Sequence, residues 1–201
     1  MSHTQRLRSA QGFTLMELLF SLVIASILLA VATPSFRSFR DNNRMTGIGN
    51  DFLSAATHAR TEAIKTQVPV SVCPASSATG PCTAGSFTGW IVFSDPNGNC
   101  ARDAGEAIFE GKDSIDGASD GSTFARANGT CLAFSPTGFL QTNTTATRVI
   151  FCDKRGLSSV PGTTLSAARG LLVTATGRAS ITRDRTSSSI NNITTWGLSC
   201  P

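Results

Sequence analysis

Two hundred and one residues are enough for one folded domain with an appended segment, and 40 % hydrophobic residues can supply its core. Only two histidines are present, His3 and His58, with no phosphate loop or metalloprotease motif beside them, so enzymatic chemistry is not expected. The net charge is +4, and the wealth of Ser, Thr and Gly suits turns and strands exposed outside the cytosol.

The first twelve residues form a polar leader holding Arg6 and Arg8. Gly12-Phe13-Thr14-Leu15-Met16-Glu17 follows and opens an apolar run to Pro34, in which Glu17 is the one charge. The length and apolarity of residues 13–33 fit a membrane-spanning helix. A carboxylate inside such a span is unfavourable by roughly 2.5 kcal/mol or more unless it is paired. A cut just before Phe13 would create a free amine as its partner. Secretory signals are cut after their apolar core, whereas Gly12 lies before this one, so cleavage there would leave the core in the mature chain.

Thr33-Pro34 predicts a kink or a melted turn. Beyond it Met45, Ile48, Phe52, Ala55, Ala56, Ala59, Ala63 and Ile64 recur at three- and four-residue steps. The helix is therefore expected over 13–66, softened by Gly47 and Gly49. Its second half should pack on a globular domain, with the alanines letting a sheet approach closely.

From residue 67 to 201 the pattern changes to short apolar runs between turns. Strands are expected at Val68–Cys73, Gly89–Phe93, Ala107–Phe109, Cys131–Phe134, Arg148–Cys152, Gly170–Thr174, Ala179–Arg183 and Thr194–Leu198. Such spacing argues for an antiparallel β-domain, and the whole for an α+β chain. All six cysteines lie in or after its first strand, an even number that suggests disulfides. The two pairings favoured are Cys73–Cys82, closing a Gly/Pro loop, and Cys152–Cys200, tying the tail to a strand.

Two stretches outside the helix carry candidate chemistry. In the loop from Asp95 to Glu106, the oxygen-bearing residues Asp95, Asn97, Asn99, Asp103 and Glu106 stand at EF-hand positions. Position 6 is Cys100 rather than glycine, and a strand precedes the loop, so the bland alternative is a polar hairpin turning at Asn97-Gly98. No metal or other cofactor is expected. The second stretch is the basic C-terminal third. Residues 140–201 carry seven bases against two acids, while residues 66–139 carry three against seven. Arg178, Arg183 and Arg185 are candidates for an anionic partner. Strand alternation puts Arg183 and Arg185 on one face. A solvated face balancing the acidic middle is the alternative.

Gly12-Phe13-Thr14-Leu15-Met16-Glu17 resembles the processing site of type IV prepilins and type II secretion pseudopilins. Ala59–Lys65 with Val70–Cys73, Gly89–Asp95, Phe134–Gly138, Cys152–Gly156 and Thr176–Ala179 resemble, in order, segments of the GspH/FimT family. The resemblance implies a pilin-like fold, with a long N-terminal helix on a C-terminal antiparallel β-sandwich. It implies cleavage after Gly12, methylation of Phe13, and Glu17 as the assembly residue that pairs with a positive N-terminus. The implied function is that of a minor pilin or pseudopilin priming or capping a type IV pilus. The alternatives are the minor pseudopilin of type II secretion and a tip DNA receptor for transformation. The implied partners are the prepilin peptidase, other major and minor pilins or pseudopilins, the inner-membrane assembly platform and, for the receptor alternative, DNA. The implied location is the bacterial inner membrane, single-pass with a periplasmic C-terminal domain, and then a pilus or pseudopilus tip. DNA-uptake members carry a Gly-Arg-x-Arg element, and Gly177-Arg178-Ala179-Ser180 matches it except at Ser180, so Arg183 and Arg185 are the candidate substitutes.

Overall fold

The computed structural model describes residues 12–83, 85–115, 123–141, 147–186, 188 and 190–200. The leader with Arg6 and Arg8, and Asp116 and Asp120 of the acidic stretch, lie outside the described residues.

Among the described residues one α-helix, α1 (Leu15–Thr66), is followed by nine strands. Thr14 caps it. Its Oγ1 accepts from the Glu17 N–H at 3.2 Å and its carbonyl from the Leu18 N–H at 3.2 Å. The turn at Pro34 does not melt, contrary to the sequence expectation: α1 runs through it. Proline removes one hydrogen bond of the ladder, and the bonds on either side of this long helix hold the turn. Thr33 Oγ1 donates to the Leu29 carbonyl at 2.7 Å one turn earlier.

The chain divides into two compact units, residues 1–41 and 42–201. In the first, Phe13, Leu15, Leu29, Val31, Phe36 and Phe39 are all exposed. An apolar helix with no buried face is what a lipid-facing span requires.

In the second unit the strands form two antiparallel sheets. Strands β1 (Val70–Ala75), β3 (Gly89–Ser94), β4 (Ile108–Lys112) and β6 (Leu132–Phe134) make a four-stranded sheet in the order β4-β3-β1-β6. The remaining strands are β2 (Ser86–Phe87), β5 (Thr123–Ala127), β7 (Arg148–Asp153), β8 (Arg169–Val173) and β9 (Ala179–Thr182). They make a five-stranded sheet in the order β2-β5-β7-β8-β9.

One face of each sheet meets the helix stripe in a shared core. Val72, Trp90 and Phe134 come from the first sheet, Phe87, Phe151 and Leu171 from the second, and Met45, Phe52, Ala56 and Ala59 from α1. Phe52 is its aromatic centre, 5.0 Å from Trp90 edge-on and 5.3 Å from Phe151. The opposite faces carry a small core each. Ile91, Phe93 and Ala133 pack with Cys73, Cys100 and Cys131 outside the first sheet. Ile150, Leu172, Ile193 and Trp196 pack with Cys152 outside the second. Central strands covered on both faces lose the alternating pattern, which is why β1, β7 and β8 read as apolar runs.

Three disulfides fasten these outer cores: Cys73–Cys82, Cys100–Cys131 and Cys152–Cys200. The expected strand at Thr194–Leu198 is instead a short 3₁₀ turn, Ile193–Thr195. Asn192 Oδ1 accepts from the Thr194 N–H at 3.0 Å and its hydroxyl at 2.7 Å, and this cap defeats the β-branched run.

Two matching turns join the sheets. Ser135–Gly138 follows β6 and Thr174–Gly177 follows β8; in each, the glycine N–H returns to the first carbonyl at 2.8 Å. Both glycines have positive φ, +78° and +76°, and a Cβ on Gly177 would strike the Gly138 carbonyl. Leu140 N–H donates to the Ala175 carbonyl at 3.0 Å, and Arg60 Nε of α1 donates to that of Gly138 at 2.9 Å.

The two helix glycines differ. A Cβ on Gly49 would lie in ordinary contact with Ile181 at 3.4 Å and Arg169 Cβ at 3.5 Å, so that position faces β8 and β9, whereas Gly47 faces open space. Gly47→Ala should therefore stabilise the chain by roughly 0.5–1 kcal/mol. Gly177→Ala should destabilise it by about 1–3 kcal/mol. Denaturant unfolding of the detergent-solubilised chain reads both; equal effects at the two sites would contradict the packing described.

Candidate functional site

The N-terminal candidate begins with Gly12 and Phe13, both exposed ahead of the Thr14 cap. Glu17 stands in the first turn of α1, where a negative charge is favoured by the helix dipole. Phe13 precedes the Thr14 cap and so stands outside α1, four residues along the chain from Glu17. The Thr14 cap was legible as a Thr-x-x-Glu spacing ahead of an apolar run, and sequence reasoning passed over it.

The polar loop between β3 and β4 uses its oxygens internally. Asp95 is fully buried. Its Oδ2 accepts from Ser71 Oγ at 2.7 Å and the Cys100 N–H at 3.1 Å, and its Oδ1 from the Asn99 N–H at 3.1 Å. Asn97 and Asn99 each turn an amide nitrogen to Asp103 Oδ2 at 2.9 Å, and Glu106 Oε2 accepts from the Asp103 N–H at 2.8 Å. Cys100 has φ +59°, so the chain makes the sharp turn there without glycine, joined by its disulfide to Cys131. The five oxygen-bearing residues thus share one loop, with their groups directed at each other and at backbone N–H groups.

The three C-terminal arginines are not brought together. Arg178 is exposed at the turn before β9. β9 ends at Thr182, so strand alternation does not extend to Arg183 and Arg185, correcting the expectation that it places them on one face. Arg183 turns inward, its Nε donating to the Ser166 carbonyl at 3.1 Å. Arg185 is half-buried, with an Nε that has no partner.

Sequence reasoning missed two other arginine groups. On the outward face of the five-stranded sheet the register sets Arg126 beside Ile150, and Arg148 beside Leu172. Arg126 Nη1 donates to Ser199 Oγ at 2.9 Å and Arg148 lies 5.9 Å from the Trp196 ring. The outward residues of these strands include no carboxylate. Behind the sheet, Arg155 and Arg169 hold the turn of α1 at Asn42, an arrangement no local sequence signal announces.

The family profile described as Type II transport protein GspH matches residues 49–188. That described as Prokaryotic N-terminal methylation motif matches residues 7–33. No curated protein matches. Among solved structures the chain is similar to the type IV minor pilin FimU of Pseudomonas aeruginosa (strain PAO1) in two crystal forms. One has 17 % identity and a TM-score of 0.49, over 71 % of this chain and 91 % of that one. The other has 16 % identity and a TM-score of 0.46, over 68 % and 90 %.

In the polar loop the amides of Asn97 and then Asn99 hold the Asp103 carboxyl below its ordinary range. A lowered folded-state pKa means that these bonds favour the folded loop at neutral pH and lose effect as pH falls through that pKa. Asn97→Ala should move the Asp103 titration up toward the ordinary carboxylate range, read by carboxyl NMR. An unmoved titration would refute the pairing.

Proposed function

The chain belongs to the GspH family of type II transport proteins, and from that premise we propose that it is a minor type IV pilin or minor pseudopilin. It is a structural subunit that primes or caps a filament. The observation that carries this reading is the match of the methylation motif to residues 7–33, of which 15–33 lie in an exposed apolar helix bearing one acid. A prepilin peptidase cuts after Gly12 and methylates Phe13. The 13–33 segment holds the chain in the inner membrane, with the 67–201 domain on the periplasmic side. The role is structural rather than catalytic. Partners are other pilins or pseudopilins and the inner-membrane assembly platform.

Assembly follows from charge. A charge in the lipid core is disfavoured by about 2.5–3.5 kcal/mol at the centre of a span, so an unpaired Glu17 drawn into the lipid needs a partner. A positive N-terminal amine of the same or a neighbouring subunit neutralises it, and the pairing sets axial register as the subunit leaves the membrane. Glu17→Ala should still insert and still be cleaved, but should be absent from sheared filaments. Normal incorporation of that variant would remove Glu17 from the mechanism.

A second reading, a DNA receptor at the tip, draws on the outward face of the five-stranded sheet. Arg126 and Arg148 there, with exposed Arg178, have no carboxylate among the outward strand residues. Phosphate contacts by these arginines would make binding steeply salt-dependent. Replacing each by Gln should lower the slope of log affinity against log salt by about 1. A slope unchanged by all three substitutions, or no duplex binding at low salt, would remove this reading.

A further inference from the structure

Beneath the five-stranded sheet three arginines cluster through shared partners: Arg169 and Arg183 both reach the Ser166 carbonyl, and Arg155 and Arg169 both reach Asn42. Arg169 is 2 % exposed. Its Nη1 donates to the carbonyls of Ser166, Ala167 and Ala168, and its Nη2 to the Asn42 carbonyl at 3.1 Å and Thr46 Oγ1 at 2.9 Å. Arg155 forks onto buried Asp153, with Nη2 2.6 Å from Oδ2, and its Nη1 donates to Asn42 Oδ1 at 2.8 Å. Arg183 Nε donates to Ser166, and among the described residues its Nη1 and Nη2 have no partner. Neighbouring Asp184 directs Oδ1 at the Thr186 N–H. Burial first, then Arg183 and Arg155, push Arg169 down to about 10, with Asp153 opposing. Burial, then Arg155, lowers Arg183 as well. Counting Asp184 with Asp153, the three guanidiniums keep a net charge of +1, and the donors open to solvent are those of half-exposed Arg183.

The cluster is tied to the chain close to the apolar span. Two of its members bind Asn42, which follows Pro34 by eight residues, a stretch that reaches at most about 28 Å. Exposed Arg37 and Arg40 lie in that stretch, and long basic side chains near the end of a span reach to the interface.

We propose that the Arg155–Arg169–Arg183 cluster takes up the phosphate of an anionic lipid headgroup, with the Nη nitrogens of Arg183 as its first donors. This rests on the membrane anchoring proposed above. A lipid phosphate is chosen over other anions because the connecting stretch confines the cluster to the neighbourhood of the membrane while the chain is anchored.

The test uses the full chain in nanodiscs of phosphatidylcholine, with and without one-third phosphatidylglycerol, read by hydrogen exchange at the backbone N–H groups of Ser166 and Ala167. Ser166 donates to the Arg183 carbonyl and Ala167 to that of Ser158. Phosphatidylglycerol should slow their exchange by about fivefold, the effect of one arginine at an anionic surface. Arg183→Gln should abolish the slowing, Arg183→Lys should keep part of it, and Arg178→Gln should leave it intact. Slowing that survives Arg183→Gln, or is lost equally in Arg178→Gln, would overturn the assignment. So would full slowing by millimolar inorganic phosphate in phosphatidylcholine discs, which would make the site one for free anions. So too would slowing by duplex DNA where phosphatidylglycerol has none. Failure of the chain to enter either disc would instead refute the anchoring, and the proposal with it.

Discussion

Both sheets reach the same helix because the helix offers them so little side chain. Ala55, Ala56, Ala59 and Ala63 are at zero exposure, and Gly49 lies buried against Ile181 and Arg169. Larger residues along this stripe would hold the sheets off, and Phe52 could not lie against Trp90 of one and Phe151 of the other. Close packing of this kind tolerates little change of volume. The twin turns then fix the sheets to each other at one edge, and Arg60 fixes both to α1. The helix thus carries two unlike surfaces in one element: apolar and exposed up to Phe39, small and buried from Met45 onward.

The outer faces show how irregular chain covers a sheet. A loop covers one and the C-terminal tail the other, and each is bonded to the strands beneath by a disulfide. Cross-links of this kind restrict the unfolded chain and suit an oxidising compartment. Gly170 belongs to the same design: a Cβ there would overlap Ile193 and the Trp196 ring. The tail can lie flat only over a bare strand.

Much of this was legible in the residues. Helical spacing from Met45 to Ala63 marked the buried stripe, although Ile64, expected in it, is exposed, and the apolar runs marked β3, β7 and β8, because period and hydrophobicity are local signals. What escaped were features settled by partners. β5 has no large apolar residue besides Phe124, and is paired along its whole length with β7. β2, two residues long, is paired with β5. Pro74 extends β1 rather than ending it, since β6 pairs only as far as Val72. The candidate site divided along the same line. The Gly12–Glu17 segment is contiguous and readable. The arginine groups are assembled from residues as far apart as Asn42 and Arg169, which no local motif reveals.

The central claim is that Glu17 and the apolar run stay in the mature chain behind a new amine at Phe13. Mass spectrometry of the protein purified from its native membrane measures this directly. The account predicts a chain beginning at N-methylated Phe13, with residues 1–12 gone. A chain still carrying its leader, or one cut beyond the apolar run, would contradict it.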